Sequence, residues 1–367
     1  IETEYALGVR DPRTPGAKAS QSLEGLMRGA RSQLPHLPDG GTGLFLQNGA
    51  RFYPDLGGHP EMTTPECADP WDVVRYVKAG EAILLRLARG RTAFFRCNVD
   101  YSGSRATWGC HESYLHRADP RVLPKRLIPH LVSRVVYAGA GGFNNVSPGI
   151  EFTLSPRAVH MACDVSNDSM RQRGIFHTKD ESLCGDGWHR LHVLCGESLC
   201  SELATWLKVG TTALVVALSE AGRGPGDAVV LRSPVEAMRR FAGDPTGRVM
   251  VEAANGRRLT AVDIQRRYLE HAEAALDSDC MPPWAGAVCR RWRAVLNALA
   301  DGRESMTPVL DWAIKLALYR RRVRTRGLAW ESLPGWTQVA TQLLAEMRRL
   351  ERPERALTVE LVLGRKS

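Results

Sequence analysis

Signatures of several common enzyme classes are missing from this sequence. It contains no G-x-G-x-x-G and no G-x-x-x-x-G-K-[ST], which argues against a dinucleotide fold and a P-loop. The lack of H-E-x-x-H and G-x-S-x-G does the same for zincin and serine-hydrolase chemistry. No run of 18 or more apolar residues occurs, so a membrane span is not expected. Ile1-Glu-Thr-Glu carries no basic stretch followed by an apolar core, so no signal peptide is expected and the protein reads as cytoplasmic. The 9 cysteines form no C-x-x-C and follow no regular spacing. Reduced thiols explain them better than a zinc site or a disulfide framework. Internal repeats and low-complexity tracts are also missing.

What is present is an ordinary globular composition, 44% hydrophobic and 24% charged over 367 residues, long enough for a sizeable core and for two domains or one large α/β domain with an appendage. The net charge of +9 is concentrated late, in Arg320–Arg326 and Arg348-Arg349, with no interleaved aromatic signature. An acidic protein partner or a nucleotide accounts for it as well as nucleic acid does, and we set nucleic acid aside.

Hydrophobic periodicity predicts strands over 1–9, 43–53, 92–98, 151–155 and 190–195. It predicts helices near 20–31 and over 69–89, 124–138 and 201–221. Asp69 and Pro70 mark the start of the second helix. After the Gly-rich stretch 222–227 the character becomes helical, at 234–241, 260–277, 283–300, 308–319 and 335–350. The expected division is a sheet domain over 1–225 and a mostly helical remainder over 226–367.

Candidate chemistry gathers in several segments. In Asn48–Cys67, Asp55, His59, Glu61 and Glu66 crowd a turn-rich segment that also carries Arg51 and Tyr53. Carboxylates at that density need a cation, a proton or open solvent, and a divalent metal with a nucleotide phosphate is one answer. Glu2 and Glu4, at i and i+2 of a strand, point to one face at a spacing suited to Mg²⁺. Further on, a strand delivers Asn98 and Asp100, a Gly turn delivers His111 and Glu112, and Arg190 and His192 share a strand face. Arginine suits phosphate and histidine suits metal or nucleotide. A solvated acidic turn and ordinary core histidines are the bland readings of the same residues.

Taken in order, these segments resemble the family of the Pup ligase and the Pup deamidase/depupylase, glutamine-synthetase-like enzymes. The family's opening strand is matched by Ile1-Glu-Thr-Glu-Tyr5. Its N-G-A-R-x-Y-x-D-x-x-x-H-P-E-x-x-x-x-E-C matches Asn48–Cys67, its G-C-H-E-N-Y-L reads Gly109–Leu115, and its R-L-H-V-I-x-G-[DE] reads Arg190–Glu197. Matches continue through Leu207–Leu214, Ala261–Arg266 and Asp311–Lys315. The resemblance implies an α/β (α+β) fold: a curved, mainly antiparallel sheet with helices on one side and a small helical C-terminal region. It implies Asp55 as the catalytic aspartate. Glu2, Glu4, Glu61 and His192 would be metal ligands. Arg51, Tyr53, Asn98, His111, Glu112 and Arg190 would bind nucleotide or substrate.

It further implies Mg²⁺ and ATP as cofactors, a small Pup-like modifier protein as partner, and lysine-bearing proteins as substrates. Two segments depart from the family: Cys97-Asn-Val-Asp100 stands for N-N-T-D, and His177–Ser182 for N-T-R-D-E-P. Both fall where the family handles nucleotide. The favoured expectation is therefore amide chemistry on the modifier's C-terminal Gln or Glu side chain: deamidation, isopeptide cleavage or transfer to lysine, with ATP not hydrolysed or its use lost. ATP-driven ligation is the alternative. A small-molecule carboxylate–amine ligase and a non-catalytic binding module are the readings from other classes.

Overall fold

The computed structural model describes residues 1–9, 19–37, 41, 43–88, 92–96, 98–100, 106–147, 151–178, 184–302 and 309–324. The chain opens with β1 (Glu2–Glu4), β2 (Ala6–Val9), α1 (Ala19–Gln33), β3 (His36–Leu37), β4 (Leu44–Leu46), β5 (Arg51–Pro54) and β6 (Pro60–Thr63). It continues with α2 (Pro70–Ala88), β7 (Thr92–Phe95), β8 (Cys110–His116), α3 (Leu123–Ser133), α4 (Val135–Ala138), β9 (Gly142–Phe143) and β10 (Phe152–Thr153). Then come β11 (Cys163–Ser166), β12 (Gly174–His177), β13 (His189–Val193), α5 (Glu202–Glu220) and α6 (Pro234–Ala242). The hairpin β14 (Met250–Glu252) and β15 (Arg258–Thr260) precedes α7 (Ala261–Ala274), α8 (Ala285–Ala300) and α9 (Asp311–Arg324).

Among the described residues a nine-stranded sheet runs in the order β11-β12-β13-β8-β1-β6-β5-β4-β3. Only β11 and β12 pair in parallel; the remaining neighbours are antiparallel. The two faces follow from alternation. Phe52, Met62, Thr3 and Cys110 sit in register across β5, β6, β1 and β8 and are buried. Behind them, Leu26, Met27 and Leu84 of α1 and α2 share a core with Tyr5, Phe52 and Met62. A larger core joins Leu127, Leu131, Leu207, Leu214, Tyr268 and Trp292, so helices from both halves of the chain pack together. Each fully buried Leu or Phe of this kind contributes about 1.5–3 kcal/mol.

Local signals explain the helices. The Asp69 carboxylate accepts the Trp71 N–H at 2.6 Å, and Pro70 opens α2. Ser201 caps α5 by accepting the Ala204 N–H, and a Thr260–Asp263 capping box starts α7. By length and composition α5 is apolar enough to cross a membrane. It is instead mostly buried inside the protein, against α2, α3, α8 and β8.

Several expectations need correction. The single strand over 43–53 is a hairpin: β4 and β5 are joined by a turn in which Gly49 takes φ +86°, a backbone that glycine adopts freely. The strand over 1–9 splits after Glu4, and β2 leaves the large sheet to pair with β7. The Gly turn expected at His111 and Glu112 is the strand β8. Its sequence, Cys-His-Glu-Ser-Tyr-Leu-His, lacks the apolar alternation that marks a strand because both faces carry polar groups, His111 and Ser113 on one and Glu112 and His116 on the other. Strands β11 and β12 and the hairpin β14–β15 were not foreseen. The expected helix at 335–350 lies outside the described residues.

Candidate active site

The face of the sheet turned away from the helices is polar. Its centre is set by β1, which pairs Glu4 with Glu61 of β6 and Glu2 with His111 of β8. Tyr53 of β5 lies opposite Glu61, and His192 of β13 lies opposite both Ser113 of β8 and His177 of β12. His111 bridges the two β1 carboxylates: its Nδ1 lies 3.4 Å from Glu2 Oε2 and its Nε2 3.7 Å from Glu4 Oε1. The imidazoles of His111, His192 and His177 follow one another with ring centroids 5.5 Å apart. Arg190 Nη2 donates to Glu2 Oε1 and lies 3.0 Å from each of Glu2 Oε1 and His192 Nδ1, while its Nε donates to Ser113 Oγ.

The electrostatics follow from this crowding. Burial pushes the Glu2 carboxyl up, but the His111 hydrogen bond and the charges of His192, His111 and Arg190 outweigh it, leaving it at about 2. Glu61 goes the other way. Burial raises it, and Glu2 and Glu4 repel its charge, so it reaches about 7 despite a hydrogen bond from Tyr53. Burial lowers His192 to about 3, with His111 and Arg190 acting in the same sense as burial. The burial of His111 also lowers its pKa, but the Glu2 and Glu4 carboxylates raise it above the ordinary imidazole value.

Asp55 sits at the tip of the β5–β6 hairpin. Its Oδ1 accepts the His59 backbone N–H at 2.6 Å, and its Oδ2 lies 3.2 Å from His59 Nδ1. The Asp55 N–H closes the loop on the His59 carbonyl at 2.9 Å. Burial raises Asp55, but the His59 contacts bring it below the ordinary carboxylate value. The His59 ring rests on buried Trp108, centroids 5.5 Å apart. Gly57 is needed here: a Cβ would stand 2.9 Å from His59 Nδ1 and 3.3 Å from Asp55 Oδ2.

Among the described residues three donor sets can each hold a cation, with ligand atoms within 4.8 Å of one another: Glu2, His111 and His192; Glu4, Glu61 and His111; Glu4, Asp55 and His59. Carboxylate oxygens suit Mg²⁺, and the imidazole nitrogens in every set equally suit Mn²⁺. His111, expected to contact substrate, stands in two of the sets. Arg51 and Tyr53 line the same face, with the Arg51 guanidinium 4.4 Å from the Tyr53 ring centroid and 5.0 Å from that of Phe45.

Two candidates stand elsewhere. Glu112 points into the core, fully buried, and accepts from Arg134 Nη1 at 2.8 Å, Arg134 Nη2 at 2.6 Å and the Tyr114 hydroxyl at 2.6 Å. Lys208 Nζ lies 3.7 Å from it. It cannot reach a ligand on the opposite face, because adjacent strand residues point apart. Asn98 is buried at φ +65°; its amide donates to the Arg96 carbonyl and accepts the Ser198 N–H, tying two loops together. His59 stood out in the sequence only as part of the crowded Asn48–Cys67 segment and was given no role there, although its four-residue spacing from Asp55 in a Gly-rich turn was the available signal.

Residues 1–343 match the family described as Pup-ligase protein. The chain is 38% identical over 349 residues to the Pup–protein ligase of Xylanimonas cellulosilytica, covering 89% of this chain and 75% of that one. It is 38% identical over 350 residues to the depupylase of Acidothermus cellulolyticus, covering 90% and 67%. With the Pup deamidase/depupylase of Mycolicibacterium smegmatis it shares 37% identity over 308 residues, covering 80% and 61%. The chain thus spans from 61% to 75% of the length of these three relatives. Its fold is similar to that of the ligase PafA in complex with the prokaryotic ubiquitin-like protein Pup, with TM-score 0.81 and 27% identity over 99% of this chain and 74% of that one. A structure of the Pup ligase PafA in complex with ADP is similar at TM-score 0.75. With a mixed α/β fold built on a large, mainly antiparallel sheet, and a family match over most of its length, the chain belongs to the Pup-ligase protein family.

Proposed function

We propose that the protein is a cytoplasmic enzyme of a Pup-type modification system, acting on the amide of the modifier's C-terminal Gln or on the isopeptide bond to a lysine. The observation that carries this reading is the Asp55 carboxylate, clamped by His59 beside the donor sets of Glu4. Asp55 attacks the amide carbon as a nucleophile, forming the C–O bond of a mixed anhydride as the C–N bond breaks, and the departing nitrogen takes its proton from water. Water then releases the Glu-ended modifier, or a lysine amine attacks and a new isopeptide bond forms. A divalent cation held by Glu4, Glu61 and His111, or by Glu2, His111 and His192, would polarise the carbonyl oxygen and steady its developing charge. Arg51, Tyr53 and Arg190 flank that position and orient the substrate.

The second reading is ATP-dependent ligation of a Glu-ended modifier to lysine, favoured by the ADP complex of the similar ligase and by the ligase names among the relatives. A bound nucleotide would supply the phosphoryl group that turns the poor carboxylate electrophile into an acyl phosphate. Asp55 would then take the proton of the attacking lysine. The experiment is incubation with the Pup-like protein in Gln-ended and Glu-ended forms, measuring product against ADP released. We expect turnover of the Gln-ended form without stoichiometric ADP, and Asp55→Asn inactive by several orders of magnitude while still folded. One ADP per bond, with only the Glu-ended form accepted, establishes the ligase reading instead.

A further inference from the structure

We infer that His59 is a positioning residue whose Nδ1 fixes the rotamer of the Asp55 carboxylate. This rests on the proposed role of Asp55 but deepens it. A carboxylate on a hairpin tip has free rotation about its side-chain bonds unless something holds it. Two backbone N–H groups reach this carboxylate, that of His59 on Oδ1 and that of Gly57, and both belong to the same loop as Asp55 itself. The imidazole supplies the side-chain point of attachment, 3.2 Å from Oδ2. The ring is itself held: Trp108 packs against one side, and Gly57 leaves the gap in which the ring and Oδ2 meet. The clamp is therefore built from Asp55, Gly57, His59 and Trp108, three of them within one five-residue loop. A reacting group displaced by about 1 Å can cost on the order of 100-fold in rate, so such a clamp bears on turnover rather than on binding.

The test compares three replacements. His59→Asn places an amide N–H near the position of Nδ1, His59→Leu keeps the packing on Trp108 without a donor, and His59→Ala removes both. We expect His59→Ala and His59→Leu to lose about 10- to 100-fold in kcat with little change in KM. His59→Asn should recover to within about fivefold of the unaltered enzyme, with the same pH profile. Crystal structures of the variants should show Asp55 rotated in His59→Ala and held in His59→Asn. If His59→Asn is as impaired as His59→Ala and loses one limb of the pH profile, His59 moves a proton and the inference falls. Equal activity of the Leu and Asn variants, or an unmoved Asp55 in His59→Ala, overturns it as well. Should the unaltered enzyme act on neither modifier form, the proposed function fails. The Asp55 rotamers still decide the inference in that case.

Discussion

Replacing Glu112 by Gln separates a core ion pair from a substrate contact. The carboxylate is fully buried and takes two Arg134 hydrogen bonds, one from Tyr114 and the nearby charge of Lys208. Glutamine keeps one oxygen but turns an N–H toward the Arg134 donors, leaving two buried cations facing no carboxylate. Breaking a buried pair from one side costs about 3–5 kcal/mol. In a chain of this length that is about 6–10 °C in melting temperature, at roughly 2 °C per kcal/mol. The assay is thermal and urea unfolding of both proteins.

A pH series adds a second check. Burial raises the Glu112 carboxyl, but Arg134 and Lys208 outweigh it and hold it at about 2, below the ordinary 4.5. Its stabilisation is therefore fully present above about pH 4.5 and is lost as pH falls toward 2, so the gap between the two proteins should close over that window. Adding Arg134→Met to Glu112→Gln should recover part of the loss. A Glu112→Gln protein of unchanged stability but lost turnover would refute the core assignment and return Glu112 to the substrate side.

The donor sets predict that Glu2→Gln and His192→Ala each weaken Mn²⁺ binding, read by calorimetry, by about tenfold or more, whereas Glu112→Gln leaves it unchanged. An unaltered Mn²⁺ affinity in both site variants would remove the Glu2–His111–His192 set and leave only the sets built on Glu4. Gly196→Ala should destabilise by about 1–3 kcal/mol, since the new Cβ would lie 2.3 Å from the Cys110 carbonyl and 2.7 Å from Glu112 Oε1. An Ala variant that melts with the unaltered protein would show that this contact relaxes freely.

How far the sequence revealed the site differs from residue to residue. Glu2 and Glu4 were legible because strand alternation alone puts them on one face, and the ionic surroundings of β1 do not alter that geometry. The clustering of Asp55 and Glu61 was legible because a short Gly-rich hairpin keeps its two arms together. Glu112 was misplaced because its chain neighbour His111 belongs to the site, and closeness in sequence says nothing about which face a strand residue takes. Its true partners are Arg134, which joins α3 to α4, and Lys208 of α5, 22 and 96 residues onward. Such long-range ion pairs leave no local pattern to read. In β4–β5 the Asn48-Gly49 turn was visible, yet the apolar run on either side masked it as one strand.

Strand β8 has a consequence for how this fold tolerates change. Its odd-numbered His111 and Ser113 face the reaction side, while Cys110, Glu112 and Tyr114 face the interior. A single inserted or deleted residue would turn the strand over. The carboxylate would meet Glu2 and Glu4, and an imidazole would be left against Arg134 and Lys208. Both sides of the sheet thus reject the same error, so lengthening by evolution or by design is confined to places such as the exposed Asp227 turn or the Asn255-Gly256 hairpin tip, and β8 keeps its frame.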